Sequence, residues 1–330
     1  MRKKNNISLK TKLIAHIETW RPYTVIWCGL ISLCGVIFTN GGFPSMIITL
    51  LAVFIPILGW ISGLYLSDYL DKKLDTIQKA HRPLPSKRMA PSEALLFGGF
   101  FAIAGISLTL FIGTKQLIFV VLAGILVFTY SKYTKSNGVL GNINRGLLAV
   151  ISYLFGVFAV DTIITDIPVY VWLFAGIFFL HDVTTNIVGT LRDIDGDKKE
   201  GYQTLPVKYG PKKTIQLIRI LIILWFLIVL IIPINYNLAN SFFYLMMVLE
   251  FSVLMIIFLV SEKLMKNFSR KKALNIHKIF VLERINLAFA VIFLLINPFV
   301  GILIYIFCLL LTAIFQIVLR DQYEFNKWTL

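Results

Sequence analysis

Residues 46–75 read MIITLLAVFIPILGWISGLYLSDYLDKKLD, and the change of character part-way along this stretch decides the fold. The first two-thirds carry no charged side chain; the last third mixes Asp with Lys. About 20 apolar residues in a helix match the thickness of a bilayer core. Backbone groups in lipid must be satisfied within the segment, so the run reads as a membrane-crossing helix. That helix delivers acidic side chains to the membrane border.

The same design recurs in both directions along the chain. Of the 330 residues, 58% are hydrophobic, and the mean hydropathy is +0.80, where a soluble globular chain is about half apolar or less. Windowed hydropathy gives ten spans, at 22–40, 45–67, 91–113, 116–133, 142–160, 168–190, 214–234, 241–262, 279–296 and 298–319. Length alone would allow two or three soluble domains. The even spacing of the spans points instead to one all-α, polytopic transmembrane bundle over residues 1–330, preceded by a cytosolic or interfacial segment at 1–21. Residues 7–20 are apolar on one face and basic elsewhere, as in a helix lying on a membrane surface, and Pro22 opens the first span.

The net charge of +15 could indicate a nucleic-acid partner, but its placement does not. Basic residues collect in the N-terminal segment (Arg2, Lys3, Lys4, Lys10, Lys12) and in the connections after spans two, six and eight. The alternate connections NGGFP, DTIITDIP and NYNLANS hold none, and only Lys115 breaks the pattern. This is the positive-inside distribution, with both termini in the cytosol. No nucleic-acid partner is expected. Cys28, Cys34 and Cys308 all fall in apolar spans without metal or pairwise spacing and read as packing residues. The first span has no small-residue cleavage site, so it reads as a retained span.

Two long connections carry clustered acids. After span two the chain reads SDYLDKKLDTIQKAHRPLPS at 67–86. Steps of four residues on a helix advance about 40° past a full turn and rise about 6 Å, so Ser67, Asp71 and Asp75 share one face, with Asp68 near its edge. Lys79 and Arg82 follow, and Pro83 and Pro85 stiffen the loop. After span six the chain reads HDVTTNIVGTLRDIDGDKKEGYQTLPVKYG at 181–210. Asp182, Asn186, Asp193 and Asp197 recur near the helical period, and Arg192, Lys198 and Lys199 flank them. Ionisable groups at membrane depth are costly and usually face a polar cavity. A lone DxxxD is commonly a solvated helix end. Two in order, four spans apart, suggest two pseudo-equivalent halves bringing acidic helix ends to one cavity.

Stacked carboxylates stay ionised together only beside cations, and all-oxygen sites suit Mg²⁺. Two such clusters at a membrane cavity suit metals bridging a diphosphate. Metal, Lys and Arg charges then stabilise the leaving group, and an apolar, dry pocket takes the lipid tail and protects a carbocation.

SxxxDxxxD followed by KxxRPLPS resembles the first motif of UbiA-type intramembrane prenyltransferases, usually NxxxDxxxD. RDIDGDKKEGYQTLPVKYG is similar to the second, above all in the naphthoate and geranylgeranylglyceryl-phosphate branches. YSKYTK at 130–135 looks like a family segment near the diphosphate. The resemblance spans essentially the whole chain. It implies a bundle around a central cavity open sideways to lipid, with Asp71, Asp75, Asp193 and Asp197 as catalytic Mg²⁺ ligands. It implies a diphosphate held by Ser67, Lys79, Arg82, Tyr130, Lys135, Arg192 and Lys198. The expected partners are a prenyl diphosphate, an aromatic or other small acceptor, and membrane lipid. The setting is expected to be a quinone or other lipid pathway in a bacterial plasma membrane, with the site facing the cytosol. Ser67 departs from the usual Asn, and the hydroxyl has a shorter reach. Ten spans exceed the usual nine of the family core.

Two other readings compete: a terpene cyclase that quenches the cation within its own chain, and an anionic-lipid transporter, which needs no paired DxxxD. Glu250, Glu283 and Arg284 lie in spans eight and nine and are expected to pair across spans. His16, His81, His181 and His277 form no metal cluster in sequence.

Overall fold

The structure is a computed structural model and describes residues 7–325. Arg2, Lys3 and Lys4 lie outside the described residues. Thirteen α-helices follow one another among those residues: α1 Leu9–Trp20, α2 Pro22–Asn40, α3 Met46–Leu70, α4 Lys72–Gln78, α5 Pro91–Ile112, α6 Leu117–Thr129, α7 Gly138–Val157, α8 Val169–Lys199, α9 Leu205–Asn235, α10 Ser241–Lys266, α11 Arg270–Ile292, α12 Pro298–Phe315 and α13 Asp321–Phe325. Two π-turns, at Tyr130–Thr134 and Gln316–Arg320, extend α6 and α12. The only extended pairing among these residues is one bridge between Asn137 and Gln203. It ties the α6–α7 connection to the α8–α9 connection.

Nine described helical stretches are long and apolar enough to cross a membrane. α11 is an additional long helix that carries His277, Glu283, Arg284 and Asn286. Its residues from Glu283 to Ile292 are all buried in the bundle, against α10, α8, α2 and α12, so it meets protein rather than lipid. That burial removes the need for an apolar surface. Asn297 and Pro298 separate α11 from α12 as two distinct helices. The polarity of the outside is inverted as lipid requires: Phe111 is 78% and Leu303 71% exposed.

α2, α7, α8 and α11 form the centre, with α3, α5 and α6 on one flank and α9, α10 and α12 on the other. Small residues set the closest approach. A Cβ on Gly156 of α7 would stand 1.8 Å from the Ser32 carbonyl oxygen of α2, and one on Gly35 would stand 2.3 Å from the Tyr153 carbonyl oxygen. Glycines let membrane helices approach to backbone contact. Gly210, at φ +80°, breaks α9 after one turn, and Pro211 restarts it.

α1 exposes Leu9 and Leu13 while burying Ala15, Glu18 and Thr19. Glu18 accepts two bonds from Arg88, at 2.8 and 2.7 Å. The start of α2, the ends of α3, α8 and α12 and the start of α11 all meet at one end of the bundle, joined by ion pairs. Among the described residues, Arg21 near the start of the chain and Tyr323 near its end meet here, at 4.7 Å. Cys28, Cys34 and Cys308 are buried free thiols, as expected of packing residues.

Candidate active site

The first acidic segment continues α3 almost without a break. α3 ends at Leu70 and Asp71 is the hinge to α4. The i to i−4 bonds persist through it: Asp71 N donates to Ser67 O at 2.9 Å, Asp75 N to Asp71 O at 2.8 Å and Lys79 N to Asp75 O at 2.7 Å. Ser67, Asp71 and Asp75 therefore keep the expected common face. α4 stops at Gln78, before Pro83 and Pro85, so the prolines shape the following loop rather than the helix end.

The second segment lies wholly on α8. Asp182, Asn186, Gly189 and Asp193 line one cavity, as the helical stripe predicts. Asp197, one turn on, accepts a hydrogen bond from Thr204 Oγ1 at 3.0 Å.

The two segments converge. Lys79 Nζ lies 3.5 Å from Asp193 Oδ1. Arg82 grips both Asp75 oxygens, at 3.0 and 3.2 Å. Lys135, placed by the π-turn that ends α6, bonds Asp71 at 2.5 Å. Arg192 forks onto its neighbour Asp193 at 3.1 and 2.5 Å. Tyr130 lines the cavity and reaches Asn186 at 3.4 Å, while Ser67 bonds Ser131 at 2.7 Å. Of the expected site residues, Ser67, Arg82, Tyr130, Arg192 and Asp193 line the cavity itself; Asp71, Asp75, Lys79, Lys135 and Asp197 lie outside its lining, and Lys198 is exposed at the α8 end. Burial, then the neighbouring Arg82, holds the Lys79 ammonium below its ordinary pKa. Burial works the same way on Lys135, but Asp71 outweighs it and raises that group.

The cavity holds about 230 Å³ and is lined by Arg21, Arg82, Arg145, Arg192, Arg284 and Arg320 among others. A second, mostly apolar cavity of about 240 Å³ lies among α3, α5, α6 and α7 and shares Trp60, Gly63, Val127 and Leu148 with the first. A polar chamber thus shares a wall with an apolar one.

Several site groups escape a motif reading. Arg145 on α7 approaches Asp182 at 3.7 Å and stands over the Trp60 ring at 4.3 Å; a charge inside an apolar span was its one signal. Trp27 Nε1 donates to Asp182 at 3.1 Å. Arg21, in a left-handed conformation at φ 47°, turns the chain from α1 into α2 and bonds Asp68. Asp68 therefore faces Arg21 rather than completing the acidic stripe. From the far C-terminal end, Tyr323 lies under the Arg82 and Arg21 guanidinium groups, at 4.2 and 4.7 Å. Glu324 bonds Arg192 at 2.9 Å and Arg270 at 3.3 Å. His81 bonds the Tyr323 carbonyl at 2.8 Å. Of Glu250, Glu283 and Arg284, expected to pair across spans, Glu283 of α11 does so with His181 of α8 at 2.9 Å, while Arg284 faces the cavity.

A family model described as the UbiA prenyltransferase family matches residues 26–282. The chain belongs to the UbiA prenyltransferase family. It is an integral, multi-pass membrane protein and, as a member of that family, a transferase of prenyl groups. Among similar proteins, the digeranylgeranylglyceryl phosphate synthase of Thermococcus gammatolerans is 32% identical over 202 residues, 61% of this chain and 71% of that one. The synthase of the same name from Sulfolobus acidocaldarius is 28% identical over 265 residues, 79% of this chain and 92% of that one. Among solved structures, a study of digeranylgeranylglyceryl phosphate synthase in membranes gives a chain with TM-score 0.63 and 25% identity, covering 86% of this chain and 98% of its own. A UbiA homologue from Archaeoglobus fulgidus bound to GPP and Mg²⁺ shares the fold, with TM-score 0.62, 19% identity and 84% and 99% coverage. These relatives are archaeal and named for a lipid phosphate. The expected quinone pathway and bacterial membrane find no support in them.

Proposed function

We propose that this UbiA-family protein moves a prenyl group from a prenyl diphosphate to a prenylated glycerol phosphate, with Mg²⁺ held by Asp71, Asp75, Asp193 and Asp197. One observation carries the reading: the ends of α3–α4 and α8 converge on a single cavity, with Lys79 of one segment against Asp193 of the other. The names of the relatives support the acceptor class.

The donor set suits the metal. Among the described residues no group of three His, Cys, Asp or Glu side chains is gathered for a metal. Mg²⁺ does not require one, because it commonly binds through one or two carboxylates plus substrate phosphates and water. Each of Asp71, Asp75 and Asp193 is paired with a Lys or Arg. When bound, Mg²⁺ would be held by Asp71, Asp75, Asp193 and Asp197 and would supply positive charge that stabilises the leaving diphosphate.

The residues divide the remaining work. Lys79, Arg82, Lys135 and Arg192, exchanged from their carboxylates, hold diphosphate oxygens, with Tyr130 as a neutral donor. The C1–O bond breaks and its electron pair leaves with the diphosphate. The apolar chamber among α3, α5, α6 and α7 takes the prenyl chain, and its dry walls delay capture of the cation by water. The acceptor's nucleophilic oxygen then closes on C1 and loses its proton. The basic connections support a cytosolic position for this end of the bundle.

Incubation of the detergent-purified protein with radiolabelled geranylgeranyl diphosphate and Mg²⁺, with and without geranylgeranylglyceryl phosphate, tests the reading. Acceptor-dependent diphosphate release with a labelled adduct supports it. Release without acceptor that yields a hydrocarbon means a cyclase, and no release at any chain length rejects the reading.

A further inference from the structure

Six arginines line the polar cavity, and four of them have carboxylates. Arg21 has Asp68, Arg82 has Asp75, Arg145 approaches Asp182, and Arg192 has Asp193 and Glu324. The other two, Arg284 on α11 and Arg320 at the end of the second π-turn, have no carboxylate within ion-pair distance among the described residues. Arg284 is 5% exposed, and its one direct contact there is the Trp27 ring, 5.8 Å from its guanidinium carbon. Arg320 is fully buried and bonds only neutral groups, Gln316 at 2.5 Å and His277. Its Nε is buried without a hydrogen-bond partner among the described residues. The nearby acids are engaged elsewhere: Asp182 by Trp27 and Arg145, Glu283 by His181, Glu324 by Arg192 and Arg270.

Two buried cations on one wall, without counter-charge, are a costly arrangement that an anion relieves. His277 lies beside them. It bonds Arg320 and Arg192 and, seven residues before Arg284 on α11, shares that helix's cavity face. Of the groups assigned to the prenyl diphosphate, Lys79, Arg82 and Lys135 come from the α4 and α6 side, and Arg192 comes from α8, within 3.4 Å of His277 Nδ1. Arg284 and Arg320 come from α11 and the α12 extension, and both lie outside the residues that match the family model.

We propose that Arg284 and Arg320, with His277 beside them, form a second anion site that binds the phosphate monoester of the acceptor. Charge selects the class. A phosphate monoester carries about −1.5 to −2 at neutral pH and offers three acceptor oxygens, which matches two guanidinium groups. The carboxylate of an aromatic acid carries one charge and leaves one cation uncompensated. The term "acceptor" rests on the transfer reading above; the anion site itself does not.

The test is binding of geranylgeranylglyceryl phosphate to the detergent-purified protein without prenyl diphosphate, compared with binding of the same prenylglycerol lacking the phosphate. The phosphate is expected to tighten binding by about tenfold or more, the size of a pair of charge-assisted contacts. R284Q and R320Q should each remove most of that preference while leaving the Mg²⁺-dependent affinity for geranylgeranyl diphosphate within about twofold. R284Q should also hold or raise the melting temperature, since it removes an uncompensated buried cation. No phosphate preference in the wild type overturns the proposal. So does an R284Q variant that weakens geranylgeranyl diphosphate as much as the phosphate acceptor, which would assign both arginines to the diphosphate. Because binding is read without turnover, a failed transfer assay with intact phosphate preference would reject the reaction and keep the site.

Discussion

Lys79 Nζ and Asp193 Oδ1 stand 3.5 Å apart, although 114 residues and four membrane spans separate them in sequence. This contact joins the two acidic segments into one site. Around it, Asp71, Asp75 and Asp193 pair with the amines and guanidinium groups assigned to the diphosphate, while Asp197 accepts from the Thr204 hydroxyl.

Replacing a carboxylate should therefore stop turnover without unfolding the bundle. D71N and D193N are each expected to lower kcat by about 100-fold or more, the range seen when a group stabilising developing charge is lost. The check is diphosphate release at saturating Mg²⁺ alongside a thermal melt.

Chelation should separate activity from stability. Asp71, Asp75 and Asp193 each have a cationic side chain as partner. EDTA is expected to abolish turnover while moving Tm by no more than about 1 °C, a change below about 1 kcal/mol for a chain of this size. Melting curves with and without EDTA read this directly.

Arg82 holds Asp75 through two bonds and lies over the Tyr323 ring, so its planar fork matters as well as its charge. R82K keeps the charge and loses the fork. KM for the prenyl diphosphate should rise by about tenfold, equivalent to one charge-assisted bond, and acceptor KM should move less. Steady-state kinetics in both substrates distinguishes the two.

E324Q leaves Arg192 and Arg270 without the acid that joins them. Glu324 is buried and Arg192 largely so, while Arg270 is partly solvated, so the loss is expected to be about 1–3 kcal/mol, below that of a fully buried pair. A lower Tm checks this. Arg192 also gains freedom to meet the diphosphate, so KM for the prenyl diphosphate should fall rather than rise.

G156V tests the close approach of α2 and α7. A Cβ there meets the Ser32 carbonyl oxygen at 1.8 Å, which no rotamer change relieves. The helices must separate, at a cost of about 1–3 kcal/mol or more. Reduced folded yield and Tm in detergent would show it, while the equivalent change at Gly99, where no atom lies within 4 Å, should be mild.

The residue pattern determined everything that lies within one helix. The long apolar runs fixed where helices cross. The four-residue spacing of Ser67, Asp71 and Asp75, and the stripe from Asp182 to Asp193, fixed which face each presents, because a helix converts spacing into direction without help from the rest of the chain. α11 shows the boundary of that rule. From Glu283 to Ile292 it is buried throughout, so depth in the bundle rather than apolarity accounts for Glu283 and Arg284 there. Tertiary structure alone decided the pairings between distant helices. It set Arg145 beside Asp182, took Glu283 to His181 and left Arg284 facing the cavity. It also returned Tyr323 and Glu324 to the acidic segments. The physical reason is that a buried charge is satisfied by whichever partner packing brings within about 4 Å. Packing distance between helices is set by side-chain volumes along the whole interface, such as the glycine contacts of α2 and α7, and not by any local motif.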